Sequence, residues 1–167
     1  MRKLALTATG LAVLAAAAPI ASAAPALDYD IAVASSKTEL LAYNHETFTF
    51  EVTVRNPGTV AGSAGAVHAP KIKGLRLRAG GEGWTCTEPA DWEFFCASQE
   101  NIPHGGSLPP ITVSGVPDGT TSHTFIPVTV DGWRRSEQNH ANNAVTVLVT
   151  SVLSGKFASG LDGPASR

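Results

Sequence analysis

The chain has 167 residues, 12 basic and 14 acidic side chains, and a formal net charge of −2. With 43% hydrophobic residues it can bury a core, and without a basic excess it lacks the charge that a nucleic-acid binder uses to offset phosphate. Two cysteines are too few and too far apart for a structural zinc centre.

The chain opens with Arg2 and Lys3, then an apolar run from Leu4 to Ala18, broken by Pro19 and closed by Ala21-Ser22-Ala23. A charged start, a short apolar stretch and an A-x-A site are the marks of a secretory signal peptide. A membrane span needs roughly 20 predominantly apolar residues. This run is shorter and is interrupted by Thr7, Thr9 and Gly10. Residues 1–23 are therefore expected to be a cleaved leader, with a mature protein that starts at Ala24 and works outside the cytoplasm. The single Arg-Lys pair, in place of twin arginines, points to the general export route. Without Arg2 and Lys3 the balance is 10 basic against 14 acidic side chains, about −4.

Helical periodicity is nearly absent after the leader, and period-two segments divided by Gly, Pro, Asn and Asp clusters recur, as in an all-β sandwich or barrel. Asp28 to Ala34 supplies a first strand with Ile31 and Val33 inward. Thr47 to Arg55 is the clearest strand: Phe48, Phe50, Val52 and Val54 alternate with Thr49, Glu51, Thr53 and Arg55, so one face enters the core and the other meets water. Asn56-Pro57-Gly58 ends it, because Pro cannot donate to a ladder and Gly permits a tight turn.

Ala66 to Ile72 and Leu75 to Ala79 read as two strands around Gly74. Lys71, Lys73, Arg76 and Arg78 form a basic stripe there, with Ile72, Leu75 and Leu77 interleaved. Such a stripe attracts an anionic envelope polymer. It also serves as a solvated face that blunts a sheet edge, the favoured reading, and Glu82, Glu88, Asp91 and Glu93 follow closely enough to neutralise it.

Trp84 to Thr87 and Glu93 to Ala97 form a predicted hairpin that turns at Glu88-Pro89-Ala90-Asp91 and sets Cys86 opposite Cys96. Two cysteines in an exported chain read as one disulfide, a staple worth about 3 kcal/mol and not a C-x-x-C redox pair. Trp84, Trp92, Phe94 and Phe95 crowd around it, with Phe94 and Phe95 on opposite faces. Trp92, near the tip, either covers the disulfide or presents a platform for sugar rings or a protein. Trp84, Trp92 and Phe95, together with the basic stripe, are the candidate recognition surface.

Three further strands follow. Leu108 to Ser114 is one. His123 to Val130 is the next, with Ile126, Val128 and Val130 on one face and with Pro127 hinting at an edge or bulge. The last strand holds Val145, Val147 and Val149 in alternation. Between the last two, Asp131, Glu137, Asn139, Asn142 and Asn143 offer hard oxygen ligands of the kind calcium takes, but EF-hand spacing is absent and Asn and Asp are ordinary turn residues, the favoured reading. No metal site is therefore assigned. Ser154 to Arg167 is a Gly-, Ser- and Ala-rich tail without a hydrophobic anchor.

Several pieces in order resemble a known family. They are Asp28 to Val33; Phe48 to Gly58 with its terminal Asn-Pro-Gly; Gly83-Trp84-Thr85-Cys86, then Cys96; Gly105-Gly106-Ser107-Leu108 leading into Ile111-Thr112-Val113; and Asn142-Asn143-Ala144-Val145. Together they are similar to the bacterial surface domain called domain of unknown function eleven and to the related CARDB (cell adhesion related) β-sandwiches, over most of Asp28 to Thr150. Ala69 to Leu75 stands where the family has an Asp-x-Leu-Pro segment, and it lacks the Asp. The resemblance implies an immunoglobulin-like sandwich of secreted and envelope proteins. It implies no reaction.

The residues supply no catalytic set either. Gly62-Ser63-Ala64-Gly65 has the wrong spacing for a nucleophile elbow, and His45-Glu46 is not followed by a histidine at metalloprotease spacing. His45, His68, His104, His123 and His140 are scattered and read as surface polar residues. The expectation is an all-β, immunoglobulin-like, two-sheet antiparallel sandwich over 24–153. Its expected role is a secreted, non-catalytic module without a cofactor, binding or structural at the envelope or in the medium. The partner would be an envelope polymer or an extracellular protein. The alternative is a small-ligand-binding or protein-inhibitor domain that uses loops at one end of the sandwich.

Overall fold

The computed structural model describes residues 29–118, 122–132, 137 and 139–153. The expected leader, its cleavage point and the tail lie outside them. Among the described residues ten strands run in chain order: β1 (Ala32–Ser35), β2 (Glu39–Tyr43), β3 (Phe48–Arg55), β4 (Gly62–Pro70), β5 (Leu75–Gly80), β6 (Thr85–Thr87), β7 (Trp92–Ile102), β8 (Ile111–Pro117), β9 (Ser122–Asp131) and β10 (Ala144–Val152). A 3₁₀ turn, His140–Asn142, precedes β10.

Two sheets pack face to face. One has the order β1-β3-β8-β5 and the other β2-β10-β9-β4-β7-β6. Alternation drives the packing. On β3, Phe48, Phe50, Val52 and Val54 are buried; Val67 and Ala69 on β4, Ile126, Val128 and Val130 on β9, and Val147 and Val149 on β10 meet them from the other sheet. Val145, at the loop end of β10, is only partly buried against that core. Gly115 on β8 opposes Phe48; a Cβ there would lie 2.3 Å from the Phe48 ring, so the close approach requires glycine.

Several boundaries differ from the sequence expectation for identifiable reasons. β2 was not visible, because Glu-Leu-Leu-Ala-Tyr is short and apolar on both faces: Ala42 is buried while Leu41 and Tyr43 are exposed. It pairs parallel with β10, whereas the other pairings among the described residues are antiparallel. β4 starts at Gly62, where Gly-Ser-Ala-Gly shows no alternation to read. β8 begins at Ile111 and not Leu108, because Pro109 and Pro110 have no N–H to give a ladder.

Pro127 was expected to mark an edge or bulge, but it lies inside the six-stranded sheet, between β10 and β4. β4 is laddered to β9 from Thr129 to Asp131, and the same register continued sets Pro127 against Pro70, where neither residue has an N–H to extend the ladder. Val130 N donates to Asn143 O at 2.8 Å, which turns the N–H of even-numbered β9 residues toward β10. The nitrogen of Pro127 therefore faces the β4 side, beyond the last ladder bond.

Candidate functional site

The hairpin forms as the sequence predicts. β6 pairs with β7, and Cys86 and Cys96 are directly opposite and disulfide-bonded, with Cα atoms 4.0 Å apart. The aromatic residues around them divide between environments. Phe94 is in the core and Phe95 is half-buried on the opposite face. Trp84 donates from Nε1 to Pro109 O at 2.9 Å and leans on the core from the hairpin base. Trp92 is half-buried and packs edge-on against His68, with ring centroids 4.1 Å apart. Trp84 and Trp92 thus do not share one platform.

His68 is the histidine that the sequence misread as a surface residue. It is 8% exposed, covered by Trp92 and stacked on Phe95, and its Nε2 lies 2.7 Å from Asp131 Oδ2. The other histidines sit in turns or on the surface: His123 Nδ1 meets Thr150 Oγ1 at 3.0 Å, and His45 takes a left-handed turn conformation.

The basic stripe flanks an open cleft of about 570 Å³ that includes Lys71, Arg76 and Arg78 together with Glu88 and Glu93. All four stripe cations are exposed, and Lys73 stands outside the cleft. Arg78 pairs loosely with Glu88 at 3.7 Å. Among the described residues Lys71 and Arg76 have no acidic partner. Glu93 is turned inward by an irregularity in the β4–β7 register at Ala69/Pro70 and is buried. Its carboxylate accepts from Leu77 N at 3.0 Å and Ile72 N at 3.3 Å. Those N–H groups belong to the outer edge of β5 and the turn before it, so Glu93 ties one sheet to the edge of the other.

A second polar cluster sits where the chain enters β1. Asp30 and Glu137 are both buried there. Glu137 accepts from Ile31 N and from Asn143 Nδ2, each at 2.7 Å. Asp30 accepts from Asn142 Nδ2 at 2.9 Å and from Asn139 Nδ2 at 3.5 Å. Burial, with the neighbouring Asp30, holds the Glu137 carboxyl above the ordinary carboxylate range. Burial and Glu137 likewise raise the Tyr29 hydroxyl. Sequence reasoning had grouped Glu137, Asn139, Asn142 and Asn143 with Asp131, which instead pairs with His68. It missed Asp30, more than a hundred residues away, since only the fold brings it in. Among the described residues no three His, Cys, Asp or Glu side chains converge as metal ligands.

Among the described residues no helix is long and apolar enough to cross a membrane. No protein-family model matches the chain, and no curated protein matches it. Solved structures do. The CARDB domain of a Pyrococcus furiosus protein, crystallised in complex with di-metal ions, is 18% identical, covers 74% of this chain and 89% of its own, and superposes with a TM-score of 0.51. The solution structure of that same domain is 17% identical, with coverage of 76% and 96% and a TM-score of 0.48. A cohesin module of a family 33 glycoside hydrolase from Clostridium perfringens is 10% identical, with coverage of 77% and 99% and a TM-score of 0.46. Of these three, the first alone has a TM-score above 0.5, and at 18% identity it supports the fold. It agrees with the CARDB part of the resemblance and leaves the name domain of unknown function eleven unsupported. The chain has a CARDB-like, immunoglobulin-type β-sandwich fold.

Proposed function

We propose that this protein is an exported, non-catalytic binding module that holds an anionic polymer of the cell envelope in the cleft beside β5. The supporting observation is the pair Lys71 and Arg76, exposed at one cleft and without acidic partners among the described residues. An exposed cation that is not paired within its own chain keeps its field for a ligand. Trp92, the other candidate, is occupied in covering His68. The recognition surface therefore shifts from the hairpin tip to the stripe.

Purified mature protein should sediment with wall preparations that keep their anionic polymers and not with preparations stripped of them. Binding should weaken as salt rises. Lys71→Glu with Arg76→Glu should abolish it while leaving the melting temperature nearly unchanged, because both side chains are exposed. Undiminished attachment by that double variant would overturn the proposal.

A further inference from the structure

The six-stranded sheet ends at β2, and that edge is built unlike the others. Leu148 N donates to Thr38 O at 2.8 Å, and Asn44 N donates to Val152 O at 2.9 Å. Even-numbered residues of β2 therefore turn their amides to β10, and Glu39, Leu41 and Tyr43 turn theirs to the open side. Among the described residues no backbone group bonds Glu39 or Leu41 on that side, while Tyr43 O accepts from Glu46 N at 3.0 Å. Leu40 and Ala42 point inward to the core, whereas Leu41 is 61% exposed and Tyr43 44%. Leu148 on β10 and Phe125 on β9 are in register with each other and continue that apolar surface along the outer face. Natural sheet edges are usually blunted. Here β5 carries Arg76 and Arg78, and its Leu77 N is taken by Glu93; β6 is three residues long and held by the disulfide. Glu137 takes the N–H of Ile31 at the approach to β1. β2 has no Lys, Arg or Pro, and its charged residue, Glu39, stands at one end.

We propose that β2 is the seam of a homodimer, in which two copies of this chain pair β2 with β2, antiparallel about a two-fold axis at Leu41. The strand is self-complementary, as a contact between like surfaces requires. With Leu41 on the axis, its outward N–H and C=O bond Leu41 of the partner subunit in both directions. Tyr43 N then donates to the carbonyl of Glu39 of the partner subunit, and the same bond repeats at the other end, so Glu46 keeps its hold on Tyr43 O. The side chains match in that register. Leu41 packs on Leu41 of the partner subunit, and Leu40 lies against Ala42 of the partner subunit below. The Tyr43 hydroxyl is placed to donate to the carboxylate of Glu39 of the partner subunit. A five-residue seam is smaller than the roughly 1,200 Å² at which stable interfaces begin, so the dimer is weak, with a Kd of about 10–100 μM. This inference does not depend on what the basic cleft binds.

The test is sedimentation of the mature protein from about 1 μM to about 1 mM, which spans the expected Kd. Wild type should pass from monomer to dimer over that range and form nothing larger, because a two-fold seam closes on itself. Leu41→Lys sets two like charges against each other at the axis and should raise Kd at least about tenfold. Its melting temperature should stay near that of wild type, because Leu41 is exposed. Leu41→Cys reads the register directly. Residues in a hydrogen-bonded antiparallel pair have Cα atoms about 5.5 Å apart, within disulfide reach, so this variant should cross-link under mild oxidation. Glu39→Cys, which faces Tyr43 of the partner subunit, should not. A monomer up to about 1 mM would overturn the proposal and leave the edge to a strand of another protein. A dimer that persists in Leu41→Lys, or that cross-links as readily through Glu39→Cys, would overturn it as well.

Discussion

Replacing Glu93 tests whether a single carboxylate joins the two sheets. Its oxygens accept from Leu77 N, which is buried, and from Ile72 N, which is partly buried. In Glu93→Ala the Leu77 donor is stranded, at about 1–3 kcal/mol, and the Ile72 bond is lost, at about 0.5–1.5 kcal/mol. The expected loss is about 2–4 kcal/mol, or about 4 °C of melting temperature for each kcal/mol in a domain of this size. Glu93→Gln sharpens the test. It keeps the shape and removes the charge, but it offers one acceptor where two donors wait, so its amide N–H₂ must face a backbone N–H. It should lose about 1–2 kcal/mol. Urea denaturation followed by tryptophan fluorescence measures both variants. A Gln variant as stable as wild type, or more so, would show that relief of carboxylate burial outweighs the two bonds, and the inter-sheet tie would be refuted.

Phe50→Ala should cost about 3–5 kcal/mol by lost burial and a cavity, and Val52→Asp more, since it buries a charge with no partner; urea unfolding would show either. Thiol titration under denaturing conditions should find no free sulfhydryl, and loss of the Cys86–Cys96 bond should cost about 3 kcal/mol in the same assay. Trp92→Ala should lose about 1–2 kcal/mol by uncovering His68 while leaving attachment to wall polymers intact. The raised Glu137 carboxyl fixes a sign: the folded form holds that proton more tightly than the unfolded chain does. The contribution of this group to stability should be fullest below the ordinary carboxylate range and be lost as pH rises through the raised value. The difference in melting temperature between wild type and Glu137→Gln should therefore change with pH in that direction.

Alternation carried most of the fold into view. β3, β9 and β10 each write their inward face in every second residue, and the Cys86/Cys96 hairpin follows from spacing and turn residues. β2 escaped because its apolar residues occupy both faces, so its pairing with β10 is a tertiary choice that no local period records. Glu93 escaped for a related reason: simple alternation from Phe94 puts it outside, and the register irregularity beside Pro70 brings it in. The basic stripe was legible residue by residue, but the cleft it borders is not a property of one strand. The Asp30–Glu137 pair shows the same limit, since the loop residues were recognised and their distant carboxylate partner was not.

The point where the β4–β9 ladder stops has a bearing on how the protein behaves when crowded. A strand flank without a neighbour is a template on which a second molecule can lay down its own strand. Here that flank lies near Phe125, which is 62% exposed and would reward the approach of another apolar surface. Pro127, opposite Pro70, stands where that ladder stops, so an incoming strand would find no donor at the position it needs. The residue that looks like a flaw inside a sheet is thus placed to keep neighbouring molecules from joining edge to edge at that point.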